Sequence, residues 1–73
     1  MSMKLTEKQK QIVRLVALGK TNKEIALAMG ISANTVAVHK NNIMKKLGIN
    51  KSVILCLYAV KNGILDINNW DLK

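Results

Sequence analysis

One stretch of the sequence spaces small and amide side chains at helical intervals. If residues 33–47 form a helix, a turn of about 100° per residue gathers four of them and one lysine on one side: Asn34, Ala37, Val38, Asn41 and Lys45. An asparagine amide can pair with adenine through two hydrogen bonds, and alanine or valine can contact a thymine methyl group. The outer face of a helix that only meets solvent is usually dominated by charged residues. The pattern therefore favours base reading in the DNA major groove by Asn34, Ala37, Val38 and Asn41 over a weakly polar surface without a partner.

Other residues could bind the phosphates of a nucleic acid. Helix starts attract anions, because unpaired backbone N–H groups and the positive end of the helix dipole point outward there. The candidates for phosphate contact are Thr21, Asn22, Lys23, Ser32, Thr35, Lys40 and Lys45. Lys40 lies next to the expected core side of its helix, so its stem can pack while its ammonium group reaches outward. For Thr21 and Ser32, simple helix capping explains the residue type equally well.

The residues needed for catalysis or metal binding are scarce. The chain has one histidine, His39, one cysteine, Cys56, and four acidic residues, Glu7, Glu24, Asp66 and Asp71. These offer no nucleophile–base pair, metal-ligand spacing or phosphate loop, so we expect no enzymatic activity, no metal and no cofactor. His39 fits a packed or phosphate-contacting imidazole, and Cys56 fits a small buried apolar residue. A single cysteine also suits a reducing compartment.

The net charge of +8 is distributed unevenly along the chain. Residues 1–47 contain nine Lys and Arg against two acidic residues, whereas residues 48–73 contain three against two. Such a basic segment attracts polyanions and releases counterions when it binds them, although the lysines could also serve only to solvate a small protein. The sequence shows no long uncharged apolar stretch and no signal-peptide core, so we expect a cytoplasmic location and no membrane partner.

Glycines and capping residues divide the chain into four helices. With 73 residues, 49% hydrophobic and only 3% aromatic, the composition favours one all-α domain with an aliphatic core. Gly19, Gly30, Gly48 and Gly63 each suit a residue just past a helix end. The predicted helices span about residues 7–18, 22–29, 33–47 and 51–62, and the second and third form a helix-turn-helix.

Capping residues and apolar spacing define these helices further. Thr6 with Gln9 predicts a capping box, Thr21 or Asn22 should cap the second helix, and Ser32 should cap the third. The residues expected to face the core are Ile12, Leu15, Val16, Ile25, Met29, Val36, Ile43 and Leu47. Leu27 points away from that core and is expected to be a lone exposed leucine.

Several short motifs together resemble one known family. They are Thr21-Asn22-Lys23-Glu24-Ile25-Ala26, Gly30-Ile31-Ser32, Thr35-Val36, His39, Asn42-Ile43 and Lys46-Leu47-Gly48-Ile49. Over about residues 4–64 the sequence resembles the LuxR/FixJ-type, or GerE-like, helix-turn-helix domain. The resemblance implies a four-helix bundle in which the third helix recognises DNA and the fourth forms a dimer.

Matching positions one by one, the resemblance assigns base reading to Ala37, Val38 and Asn41. It assigns backbone contacts to Lys23, Thr35 and Lys40. The sequence departs from the pattern at Gln9, where members often have Glu, and at Ala37 and Asn41, where they often have a basic residue. These last two departures imply fewer charge-assisted contacts to guanine.

The fourth predicted helix is apolar almost all round, since residues 53–60 include no charged side chain. We expect Val53, Cys56, Leu57 and Val60 to share its inward side. That orientation leaves Ile54, Leu55 and Tyr58 as an exposed apolar cluster, which suits an isologous dimer interface. The alternative is that the C-terminal tail, with Ile64, Leu65 and Trp70, folds back over this cluster.

The combined prediction is a single domain over residues 1–73, with a core of about 4–64 and a short tail, 65–73. Its expected function is sequence-specific regulation of transcription, with double-stranded DNA and a second copy of the chain as partners. The alternative is a protein-interaction module that uses the same scaffold to hold another regulator or an RNA polymerase subunit.

Overall fold

Four helices make up the part of the chain that the computed structural model describes, residues 5–66. They are α1 (Glu7–Ala17), α2 (Asn22–Met29), α3 (Ala33–Leu47) and α4 (Ser52–Lys61). No strand occurs between residues 5 and 66, so the all-α prediction is confirmed. Helix α1 packs mainly on α4 and also on α3, while α2 packs mainly on α3. The predicted bounds of α2 and α3 match, and α1 and α4 are one or two residues shorter than expected.

Side-chain caps set the starts of the first three helices. The Gln9 backbone N–H donates to the Thr6 hydroxyl at 3.1 Å, and the Thr6 N–H donates to the Gln9 side-chain oxygen at 3.0 Å. Thr21 and Glu24 form the same reciprocal box at the start of α2. Helix α4 differs, because its N-cap residue Lys51 makes no capping hydrogen bond with its side chain.

The turn between α2 and α3 is short because Gly30 takes a left-handed conformation. Its φ of 69° is costly for residues with a β-carbon, which explains the glycine. The Ile31 N–H then donates to the Ala26 carbonyl oxygen at 3.1 Å and closes the end of α2. Ser32 follows at once as the N-cap of α3. The helix-turn-helix predicted from the sequence is therefore present.

An aliphatic core joins all four helices. Its buried members are Leu5, Ile12, Val13, Val16, Ile25, Ala26, Val36, Ile43, Leu55, Ala59 and Leu65. Most residues expected inside are buried, although Leu15, Met29 and Leu47 are only partly covered. Leu27 is 77% exposed, as expected. The core thus fixes one side of α3 and leaves the other side open.

The sequence-based orientation of α4 is wrong. Leu55 and Ala59 are fully buried, whereas Val53 and Leu57, both expected inside, are 61% and 63% exposed. Val60, the third such residue, is also exposed, and Cys56 is partly buried. A helix that is apolar on every side has no periodicity to define its inner face, so its packing against α1 decides it. A large residue followed four positions later by a small one, Leu55 and Ala59, suits that close contact.

The chain after α4 contributes to the core. The backbone N–H groups of Ile64 and Leu65 both donate to the Ala59 carbonyl oxygen, at 2.8 and 3.1 Å. Leu65 is buried, one residue beyond the predicted limit of the core at about residue 64. Ile64 and Leu65 leave the outer side of α4 exposed, and Trp70, the third residue of the proposed cover, lies outside the described residues.

Candidate nucleic-acid interface

Most residues on the outer face of α3 are exposed to solvent. Asn34, Val38, Asn41 and Lys45 are exposed, and Ala37 is partly covered. Val36 and Ile43, about half a helical turn away around the axis, are completely buried. We call these five residues, Asn34, Ala37, Val38, Asn41 and Lys45, the recognition face. Burial of the opposite side turns this face toward solvent.

Two of the expected phosphate contacts also serve as helix caps. The Ser32 hydroxyl accepts a hydrogen bond from the Thr35 backbone N–H at 3.0 Å and lies 2.8 Å from the Thr35 hydroxyl. The Thr21 hydroxyl accepts from the Glu24 N–H at 3.1 Å. The capping interpretation is therefore confirmed for Thr21 and Ser32, and their contact with phosphate stays a prediction. Lys23 and Lys45 are exposed on the surface.

Lys40 connects α3 to the start of α2. Its Nζ donates to the Asn22 side-chain oxygen over 3.4 Å, and both residues are partly buried. Lys40 is therefore partly covered where it reaches α2, and its contact with phosphate stays a prediction. This bond also links two residues, 18 positions apart, that were each proposed as phosphate contacts.

A shallow pocket of about 300 Å³ surrounds this pair. Its lining residues are Asn22, Ala37, Lys40, Asn41, Met44 and Ser52. Sequence reasoning missed Met44 and Ser52, which come from α3 and from the first residue of α4. A small polar residue at a helix start was the available signal for Ser52. The pocket brings the starts of α2 and α4 to the edge of the recognition face.

Other features of the described chain stand apart from this face. A cleft of about 470 Å³ lies between α1 and residues 62–64 and includes none of the predicted DNA contacts. His39 is partly buried on α3. Within residues 5–66 there is no group of three or more potential metal ligands. In the same range, no helix is both long enough and apolar enough to cross a membrane.

The fold and this surface define a class of protein. Two helices joined by a tight turn, with the second exposing a face of small and amide side chains, form a helix-turn-helix of the DNA-binding kind. The sequence profile of the family described as bacterial regulatory proteins, luxR family (GerE), matches residues 3–59. The chain belongs to this family, and the resemblance noted from its motifs is confirmed.

Known relatives carry the names of regulators. The chain is 43% identical over 63 residues to the uncharacterized response regulatory protein YgeK of Escherichia coli (strain K12), covering 86% of the chain and 43% of that protein. It is 41% identical over 61 residues to the transcriptional regulatory protein MctR of Rhizobium johnstonii, covering 84% and 28%. It is 41% identical over 64 residues to the regulatory protein SdiA of E. coli (strain K12), covering 86% and 26%. The chain thus spans less than half the length of these relatives.

Proposed function

We propose that the chain regulates transcription by binding specific DNA sequences as a dimer, with α3 in the major groove. The open recognition face carries this proposal, because a helix that reads bases must project uncharged and amide side chains beyond its neighbours. Asn34, Ala37, Val38 and Asn41 would contact base edges. A regulator of this kind acts in the cytoplasm and needs no catalytic residues.

The proposed phosphate contacts lie at the edges of that face, to which Lys45 itself belongs. Lys23, Asn22 and Lys40 lie at or beside the start of α2, Thr35 is in the first turn of α3, and Lys45 is near its end. Phosphate contacts position a protein on the duplex without reading its sequence. The net charge of +8 supports a large salt-dependent contribution to the affinity.

Dimerisation is proposed through the exposed side of α4. Ile54 and Tyr58 stay in the interface predicted from the sequence, although Tyr58 is only partly exposed. Leu55 is removed from it, because a fully buried side chain is out of reach of a partner. Val53, Leu57 and Val60 replace it, since they form an exposed stripe at helical spacing. Two copies related by a two-fold axis would place their α3 helices in successive major grooves, about 34–36 Å apart.

Substitution of single residues on α3 tests the proposal. Asn41→Ala should weaken binding to a selected duplex by about 1–3 kcal/mol and relax the preference at one base position. Lys40→Ala should weaken binding to all duplexes alike. It should also make the slope of log K against the logarithm of the salt concentration less steep by about 1. Fluorescence anisotropy with selected and random duplexes, over a range of salt concentrations, measures both effects.

The matched control is Asn42→Ala. Asn42 is the next residue, is also exposed, and lies about 100° further around the helix, outside the recognition face. This variant should keep the base preference of the unmodified protein. If Asn41→Ala left affinity and preference unchanged, or if Asn42→Ala altered the preference as much, the proposed base contact would be wrong.

A further inference from the structure

The first turns of the recognition face contain no charged side chain. Asn34, Ala37, Val38 and Asn41 come before the only cation of the face, Lys45, which follows one turn later. In helix-turn-helix proteins the N-terminal residues of the recognition helix contact the bases. The commonest specific contact to guanine comes from arginine or lysine, which donate two hydrogen bonds to its O6 and N7 atoms. Neither residue type occupies the base-reading part of this face.

The two asparagines match adenine better than guanine. Adenine presents an acceptor, N7, beside a donor, the N6 amino group, in the major groove. The amide of Asn34 or Asn41 offers one donor and one acceptor in the same arrangement, so both bonds can form. Guanine presents two acceptors, N7 and O6. The amide oxygen would then face O6, which is also an acceptor, and one hydrogen bond would be lost. Both asparagines are exposed and can approach a base edge.

The two apolar residues match thymine better than cytosine. Val38 is 56% exposed and lies between the two asparagines along α3. Thymine carries a methyl group at C5, and cytosine does not. Ala37 is partly covered and short, so the helix backbone can approach the base pairs closely at that point. An apolar contact with a methyl group would remove both surfaces from water.

The nearby cations lie at the edges of this uncharged surface. Lys40 precedes Asn41 by one residue, which turns it about 100° away around α3, and its Nζ is bonded to Asn22 at the start of α2. That position suits a phosphate at the rim of the groove better than a base at its floor.

We propose that α3 recognises a half-site dominated by A·T pairs, with adenine opposite Asn34 and Asn41 and thymine methyl groups opposite Ala37 and Val38. This inference rests on the proposed function, because it specifies the DNA that the same face binds. It assigns specificity to the two apolar residues as well as to the two amides.

Duplex selection followed by chemical substitution in the DNA tests the inference. Duplexes enriched from a random library should contain A·T pairs at the positions that the recognition face covers. Replacing a contacted thymine with deoxyuridine removes only the methyl group, and should lower the affinity about threefold to fivefold, as expected for one buried methyl group. In the Val38→Ala variant, replacing thymine with deoxyuridine should have little effect at the position that Val38 contacts, because the valine methyl groups that would cover the thymine methyl are missing.

Leu27→Ala is the control variant. Leu27 is an exposed apolar residue like Val38 but lies on α2, outside the recognition face. This variant should keep the full sensitivity to deoxyuridine. Enriched duplexes with G·C pairs at the covered positions, or equal binding to thymine and deoxyuridine duplexes, would overturn this inference and leave DNA binding intact. Failure to enrich any duplex would overturn the proposed function as well.

Discussion

At the scale of single residues, the two capping boxes differ in one chemical group. Gln9 completes the box at α1 with a neutral amide, whereas Glu24 completes the box at α2 with a carboxylate that accepts from the Thr21 N–H at 2.8 Å. The hydrogen bond from that backbone N–H is the main reason why the pKa of Glu24 lies below its ordinary value of 4.5. The Thr21 hydroxyl and the charge of Lys20 lower it further, against an opposing effect of desolvation.

This difference predicts how acid affects each helix start. The pKa of Glu24 is lower in the folded state. Its carboxylate therefore stabilises the fold fully when the pH is above the ordinary pKa, and this stabilisation is lost as the pH falls through the folded-state pKa. Glu24→Gln keeps a side-chain acceptor but cannot ionise, so its stability should lack this acid-sensitive component. The difference in free energy of unfolding between the unmodified protein and the variant should therefore shrink from about pH 7 to about pH 3. Urea unfolding followed by circular dichroism measures it.

The box at α1 provides the reciprocal control. Gln9→Glu makes that box chemically like the one at α2, so it should add an acid-sensitive component that the unmodified α1 does not have. A constant difference between Glu24→Gln and the unmodified protein over the whole pH range would contradict the stabilising role of the Glu24 carboxylate. The box at α1 was predicted from the sequence, because a capping box depends only on residues three positions apart. At α2 the prediction left the cap open between Thr21 and Asn22, and the structure assigns it to Thr21.

At the scale of helices, amphipathicity decided what could be predicted. In α3, polar and apolar residues alternate with a helical period, so the buried Val36 and the exposed Asn41 were both placed correctly. In α4 every side is apolar, so the inner face predicted from its residues was wrong. Which side of α4 contacts α1 depends on residues far apart in the chain. The same limit explains why Ser52, which approaches Lys40 only through folding, was missed.

The corrected orientation of α4 predicts opposite effects for two leucines in one helix. Leu55→Ala should destabilise the fold by about 2–5 kcal/mol, because it leaves a cavity beside α1. Leu57→Ala should change stability by less than about 0.5 kcal/mol, because its side chain is already largely exposed. Chemical denaturation at a protein concentration low enough to keep the chain monomeric separates the two effects. Equal losses, or a larger loss for Leu57→Ala, would support the orientation first expected from the sequence.

At the scale of the whole molecule, net charge and apolar surface have opposite effects on the association of two chains. Two chains of net charge +8 repel each other, while the apolar side of α4 favours their association. Added salt screens the repulsion, so it should strengthen a dimer. The same salt should weaken DNA binding, because the release of counterions into a more concentrated salt solution gains less free energy. The composition alone predicts repulsion between two chains and attraction to DNA. The residues that form the apolar stripe could be identified only from the fold.

A charge placed on this stripe is the direct test of the dimer. Leu57→Lys should lower the association constant at least about tenfold, because the new ammonium group would have to leave water at the interface. Leu27→Lys adds the same charge at an exposed leucine on α2 and should leave association unchanged. Sedimentation equilibrium follows the rise in mass above the 8.1 kDa of one chain, and circular dichroism checks that both variants stay folded. A mass of one chain at every concentration, with and without DNA, would contradict the dimer, and equal weakening by both variants would place its interface elsewhere.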